Sequence, residues 1–222
     1  MRKDICDLIW DTPLKSDQVP TWLKWAREIQ AIAQTGSHFA ADEYQLQRYQ
    51  RLSEVAAEIL SVHTTLEAES LTEIFSKQVG YATPRVGVRA AVFRSGELLL
   101  VQERVDGGWT LPGGWADVGE RPSFAIEREV WEEAGFRVQA KRLIGVYDAN
   151  RLDPLEVFHA YKLLFLCDLL GGSPRPSNET SAVRFFPLDQ IPTNYSGERT
   201  RKRHIEDAIS VYQNQDLPVK FD

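Results

Sequence analysis

Cysteine is nearly absent from this chain: there are two in 222 residues, Cys6 and Cys167, far apart. That excludes a disulfide framework and fits a reducing cytoplasm. Cys167 ends the apolar run 163–167, where a buried, inert thiol is the default. Also absent is any apolar stretch near the roughly 18 residues that span a bilayer. The opening MRKDICDLIWDTP lacks the continuous apolar core of a secretory signal. Positive charge is in short supply, with 26 Lys and Arg against 32 Asp and Glu and a net charge of −6. No general nucleic-acid surface is therefore expected. A hydrophobic content of 43% and a charged content of 26% are ordinary for a globular chain. The length accommodates one large domain or two small ones.

Three parts are expected: an extension over 1–18, a helical domain over 19–80 and an α/β domain over 84–215. In VPTWLKWAREIQAIAQTG, Pro20 and Gly36 read as start and stop of a helix. Trp22, Trp25, Ile29, Ile32 and Ala33 recur at helical spacing as one apolar face. A second helix is expected through 41–60, with Asp42 or Glu43 near its start. A third runs through Leu71, Ile74 and Phe75. Such a block of about 60 residues rarely stabilises itself without docking. A lid on the catalytic domain and a dimerisation module are both open readings.

Beyond Pro84, apolar residues alternate at Val86, Val88, Ala90 and Val92, as in a half-buried strand. ELLLVQER is a second strand, and residues about 137–147 and 157–168 are two more. Gly171-Gly172 and SPRPSN read as a loop before the strand VRFFPL, and a final helix is expected over Arg199 to Tyr212.

The densest signal is GWADVGERPSFAIEREVWEEAGF, 114–136. With Pro122 in the first helical turn, a helix over about 122–134 places Glu129, Glu132 and Glu133 at i, i+3 and i+4, on one face. Like charges so spaced destabilise an isolated helix by a few tenths of a kcal/mol per pair. A hard divalent cation reverses that sign, since it takes oxygen ligands from carboxylates, phosphates and water. A solvated acidic face is the ordinary fate of a charge run. It would require neither the fixed Gly114 and Gly135 nor the interleaved Ala125, Ile126, Val130 and Ala134.

The segment resembles the signature of the Nudix hydrolases at every fixed position. The resemblance implies an α/β/α sandwich around a mixed β-sheet, and Mg²⁺- or Mn²⁺-dependent attack of water on a nucleoside diphosphate linked to another moiety. It implies metal ligands at Glu129, Glu132, Glu133 and the Gly114 carbonyl, with Glu120 and Arg128 bracing the loop. Glu132, then Glu129, is the expected base. WLKWAREIQAIAQTG, GYATP and LPGGWADVGE together resemble the bacterial CDP-choline pyrophosphatase-type branch, which has a helical N-terminal domain and forms dimers. The expected substrates are CDP-choline-like compounds first and ADP-ribose second, and the expected assembly is a homodimer through that domain. An RNA-processing enzyme and a non-catalytic nucleotide-sugar sensor are the rivals. Sensors of this type lose box glutamates, whereas all are present here.

Outside the box, Arg89 is a candidate phosphate ligand or a structural ion pair. Trp109 is a candidate base-stacking residue or a core residue. His159 reads first as a satisfied core histidine and second as a substrate contact. Asp148, Glu156 and Glu179 are candidates for a further acid, with Glu179 first. The cluster Arg199, Arg201, Lys202, Arg203 and His204 has a solvated face as its default, with phosphate or partner binding as the alternative.

Overall fold

The computed structural model describes residues 20–149, 157–197 and 199–221. The extension 1–18, Cys6 and Glu156 lie outside them. The chain divides into two compact units, one of Met1–Pro84 with Asn150–His159 and one of Arg85–Ala149 with Ala160–Asp222.

The first unit holds α1 (Thr21–Phe39), α2 (Glu43–His63) and α3 (Ala68–Ser76). The Asp42 carboxylate caps α2 by accepting from the Gln45 N–H at 2.8 Å. Gly36 does not stop α1. The helix runs on to Phe39, because the missing side chain leaves room for the Tyr49 ring of α2. The expected apolar face is also turned. Leu23, Ala26, Gln30 and Ala33 are the buried residues, whereas Trp25 and Ile32 are 59% and 51% exposed. Small Ala26 packs in one cluster with Ala56 and Ala57 of α2, and such residues allow a close helix approach that two indole rings would block. That core is completed by Val157 and Phe158, which lie between two strands of the other unit in sequence. The Phe158 ring meets Phe75 edge-on at 6.1 Å, and Arg27 Nε donates to the Val157 carbonyl at 3.3 Å.

The second unit is a mixed sheet with a helix on each face. Its elements are β1 (Arg85–Arg94), β2 (Glu97–Glu103), β3 (Trp109–Thr110), α4 (Pro122–Ala134), β4 (Phe136–Asp148), β5 (Ala160–Gly172), β6 (Thr180–Pro187), α5 (Lys202–Gln213) and β7 (Lys220–Phe221). The strand order is β3-β2-β1-β5-β4-β7, with β6 pairing β2 along its free edge. The β1–β5 and β4–β7 pairs are parallel and the other pairs are antiparallel.

β1 is not half-buried as its alternation suggested. Gly87 to Val92 are all buried, because the strand is central and covered on both faces. Val88, Ala90 and Val92 pack with Ala125, Ile126 and Val130 of α4. On the opposite face Phe93 stacks on Tyr212 of α5 at 3.9 Å. β5 begins at Ala160, later than expected, and carries Gly171 and Gly172 inside the strand, paired with Arg137 and Phe136. Cys167 is buried, and that burial pushes its thiol up to about 12. Among the described residues no helix is long and apolar enough to cross a membrane.

Candidate active site

β1 has an edge that β2 leaves unpaired after the hairpin, and the segment 112–116 fills it. Val88 N–H donates to Gly114 O at 2.8 Å, Ala90 N–H to Pro112 O at 2.9 Å, and Ala116 N–H to Val86 O at 2.9 Å. The strand's amides are thereby satisfied by the loop that opens the motif. Gly113 sits at φ +144°, and a Cβ there would meet the Val88 carbonyl, so only glycine fits. The loop then enters α4, which has Pro122 in its first turn and ends at Gly135 in the left-handed region, φ +75°.

Three glutamates of α4 occupy three environments. Glu133 is 4% exposed and accepts the Gly113 N–H at 2.8 Å. Burial pushes its carboxyl up to about 8, against the pull of Arg89. Glu129 is mostly buried and is also pushed up by burial, with Arg128 opposing. Glu132 has 55% of its side chain exposed. Arg128 ties the set together. Its Nε and Nη2 form a two-pronged pair with Glu120 at 3.0 and 2.9 Å, and Nη1 reaches Glu129 at 2.9 Å and Glu132 at 3.0 Å. Arg128 holds the Glu120 carboxyl below its usual range, and its own pKa is raised, by Glu120 above all. Such a fork gives fixed geometry as well as attraction.

These groups suit a hard divalent cation by type. All are oxygen donors, and a Cβ on Gly114 would lie 2.7 Å from Glu129 Oε2, so the Gly114 backbone directly abuts that carboxylate. Two buried carboxyls pushed up by burial also mark a spot where added positive charge is favourable. Among the described residues no three acidic, His or Cys groups form a ready-made cage. Glu129 and Glu132 are turned onto Arg128 instead.

The other expected residues are placed differently. Arg89 is 8% exposed, and its Nη1 donates to the carbonyls of Leu111, at 3.4 Å, and Gly113. Its guanidinium thus holds the motif loop through backbone carbonyls. Trp109 is half-buried and lies edge-on to Phe186 at 4.7 Å. His159 precedes β5 and falls in the helical unit, not in a strand of the sheet, because Val157 and Phe158 are drawn into that unit's core. Asp148 closes β4 in register with Tyr161. Glu179 is exposed just before β6, where the next residue, Thr180, donates through Oγ1 to the Glu133 carbonyl at 2.8 Å.

Sequence reading passed over Glu103 and Thr200. Glu103 is 1% exposed, and burial pushes its carboxyl up while Arg199 and Arg89 pull it down. The available signal was a carboxylate closing a strand whose centre, 98–101, is wholly apolar. Thr200 is fully buried, accepts the Leu111 N–H at 3.0 Å and pairs with Thr110 Oγ1 at 2.8 Å. Nothing local in GERTR signals that role.

Comparison with known proteins finds relatives of both units. A profile described as NUDIX domain matches residues 83–208, and one described as UDP-X-like, N-terminal oligomerisation domain matches residues 20–75. The "Putative ADP-ribose pyrophosphatase YjhB" of Bacillus subtilis (strain 168) is 36% identical over 202 residues, covering 90% of this chain and 97% of that protein. A crystal structure of a UDP-X diphosphatase aligns over 92% of this chain and 100% of its own, at 33% identity and a TM-score of 0.59. That of an ADP-ribose pyrophosphatase from Streptococcus suis 89-1591 aligns over 63% and 100%, at 36% identity and a TM-score of 0.58. With its second unit matched over more than half of the chain and a relative matched almost end to end, this protein belongs to the Nudix hydrolases.

Proposed function

We propose that this enzyme cleaves the diphosphate of a nucleoside diphosphate linked to a second moiety, using Mg²⁺ or Mn²⁺ held by Glu129, Glu132, Glu133 and the Gly114 carbonyl. The observation that carries the reading is the buried Glu133 carboxylate, bonded to the Gly113 N–H beside Glu129 at the Gly114 backbone. When bound, the cation neutralises charge on the non-bridging oxygens and lowers the pKa of a bound water. Arg128 holds Glu129 and Glu132 side by side through one nitrogen, Nη1. Glu132, the most exposed of the three, is our first assignment for accepting the proton of the attacking water, and Glu129 the second. Glu133, locked to the loop, fixes the distance between helix and Gly114.

For the substrate, we rank ADP-ribose and UDP-linked compounds ahead of the CDP-choline-like compounds expected from sequence, and the names of the relatives support that order. A panel of these three classes, read by phosphate release after a coupled phosphatase with Mg²⁺ and with EDTA, tests the reading. Metal-dependent cleavage of one class above the others is expected. Silence throughout, with one compound still raising the melting temperature, would favour a sensor. The net charge of −6 lends an RNA substrate no support.

A homodimer through the helical unit is part of this proposal. Trp25, Ile32 and Phe39 follow one another at seven-residue spacing on α1 and are 59%, 51% and 68% exposed. A stripe of that kind is apolar surface in search of a cover, and the matched profile is described as an oligomerisation domain.

A further inference from the structure

A cationic side chain beside the metal strengthens the hold on a diphosphate, and the arginines around the motif loop are unequal. Arg128 is engaged with Glu120, Glu129 and Glu132. Arg89 is buried and donates to the carbonyls of the loop itself. Arg199 stands next to Thr200, whose Oγ1 accepts the N–H of Leu111 in the motif loop at 3.0 Å. Its side chain is 30% exposed, and its Nε lies 3.5 Å from Glu103 Oε1.

Glu103 itself needs a reason. A carboxylate at the end of an apolar strand, 1% exposed, is costly unless compensated. Its Oε1 has no hydrogen-bond partner, and Arg199 is the cation beside that atom. Glu103 also pairs in register with Thr180, which is bonded to the Glu133 carbonyl. The buried acid thus sits between the strap that carries Arg199 and the helix that carries the box. The strap is laced to β3 by further bonds. Trp109 N–H donates to Asn194 O and Ser196 N–H to Trp109 O, each at 2.9 Å, and Ser196 Oγ pairs with Asp106 Oδ2 at 3.0 Å. A Cβ on Gly108 would collide with the Ser196 backbone, so the two segments are in closest contact there.

We propose that Arg199 receives a phosphate oxygen of the substrate, and that Glu103 is the positioning residue that fixes its guanidinium. The assignment rests on the diphosphate hydrolysis proposed above. Arginine suits this task because its planar fork matches phosphate oxygens in pairs. Glu103 Oε1 lies 3.5 Å from the Arg199 Nε, and this contact would hold the guanidinium before substrate arrives, so that less freedom is lost on binding.

The test uses the full chain with Mg²⁺, ADP-ribose and UDP-glucose as substrates, and α,β-methylene-ADP as a non-hydrolysable binding probe in calorimetry. Arg199→Gln is expected to raise KM and weaken probe binding by about tenfold or more, the scale of one lost charge-assisted bond. The effect on kcat is expected to be smaller, within about threefold. Arg199→Lys should recover part of the affinity. Glu103→Gln should shift KM in the same direction, and the double variant should be no worse than Arg199→Gln, because the two act as one unit. If Arg199→Gln does not fold, Arg199→Lys carries the test through its KM and probe affinity. An unchanged KM and probe affinity in the arginine variants would overturn the assignment of Arg199. Additive effects in the double variant would overturn the role of Glu103. Wild-type silence toward every diphosphate would overturn the functional reading and this inference with it, whereas wild-type cleavage matched by Arg199→Gln would overturn this inference alone.

Discussion

His204 gives the sharpest stability prediction. It is 2% exposed, its Nδ1 accepts the Arg201 N–H at 3.1 Å as part of the cap of α5, and its Nε2 has no partner. Tyr147 of β4 meets its ring at 4.8 Å. Burial depresses its pKa to about 3, helped by the positive charges of Lys162 on β5, Arg89 on β1, and Arg203 and Arg201 beside it. Asp207 accepts the Tyr147 hydroxyl at 2.9 Å. The folded state therefore refuses a proton that the unfolded chain accepts near pH 6.5. Above that pH both states are neutral and the group contributes nothing. Below it the unfolded state gains a proton, and stability falls by about 1.4 kcal/mol per pH unit until the folded pKa is reached. At about pH 5 the loss is roughly 2 kcal/mol. His204→Gln keeps a cap acceptor but cannot titrate. Urea unfolding of both proteins at about pH 7.5 and about pH 5 should show the wild type losing roughly 2 kcal/mol more than the variant. The buried carboxyls Glu103, Glu129 and Glu133 shift with pH in both proteins, so they cancel in the comparison. Equal losses in the two proteins would refute the reasoning.

Glu132→Gln is expected to cut turnover by at least about 100-fold, a general-base effect, with an unchanged melting temperature; near-normal turnover would remove Glu132 from the catalytic roles. Gly113→Ala and Gly114→Ala should separate structure from chemistry. A Cβ at 113 meets backbone, so the first should unfold at markedly lower urea, whereas at 114 it meets only the end of the Glu129 side chain, and the second should fold well and lose activity. A Gly113→Ala protein as stable as wild type would contradict the loop geometry. Ile32→Glu combined with Phe39→Glu should yield monomers in light scattering while metal-dependent cleavage can still be assayed; an intact dimer would move the interface off this face of α1.

The box was legible because chemistry dictates residue type and spacing together. Glu129, Glu132 and Glu133 must share a helix face, and Gly135 must end the helix in a left-handed turn, so the pattern survives without a fold. The brace of Glu120 and Arg128 was implied by the resemblance alone, and the two side chains form a two-pronged pair in the structure. Positions whose role depends on a distant partner were not legible. Arg89 reads as a phosphate ligand or an ion-pair partner, and its bonds to the Leu111 and Gly113 carbonyls depend on a later loop that its own strand does not reveal. The buried face of α1 is chosen by how closely α2 can approach, a property of Ala56 and Ala57 thirty residues away in the chain. Apolar rank alone favoured the indoles. His159 was placed in a strand because EVFHAYKLLF is continuously strand-like, and only the pull of Phe75 on Phe158 breaks it.

That capture of Val157 and Phe158 also governs how the chain acquires its shape during synthesis. The three N-terminal helices emerge first, yet the residues that seal their core arrive only after four strands and the box helix have followed. Until then Leu71 and Phe75 have an unfilled neighbour, and the helical unit is an unfinished intermediate. A cut between the units near Pro84 would likewise strand two apolar side chains on the wrong fragment. The surface substitutions on α1 avoid that difficulty, whereas a fragment beginning at Thr83 would expose Val157 and Phe158, apolar surface that favours association unrelated to dimerisation.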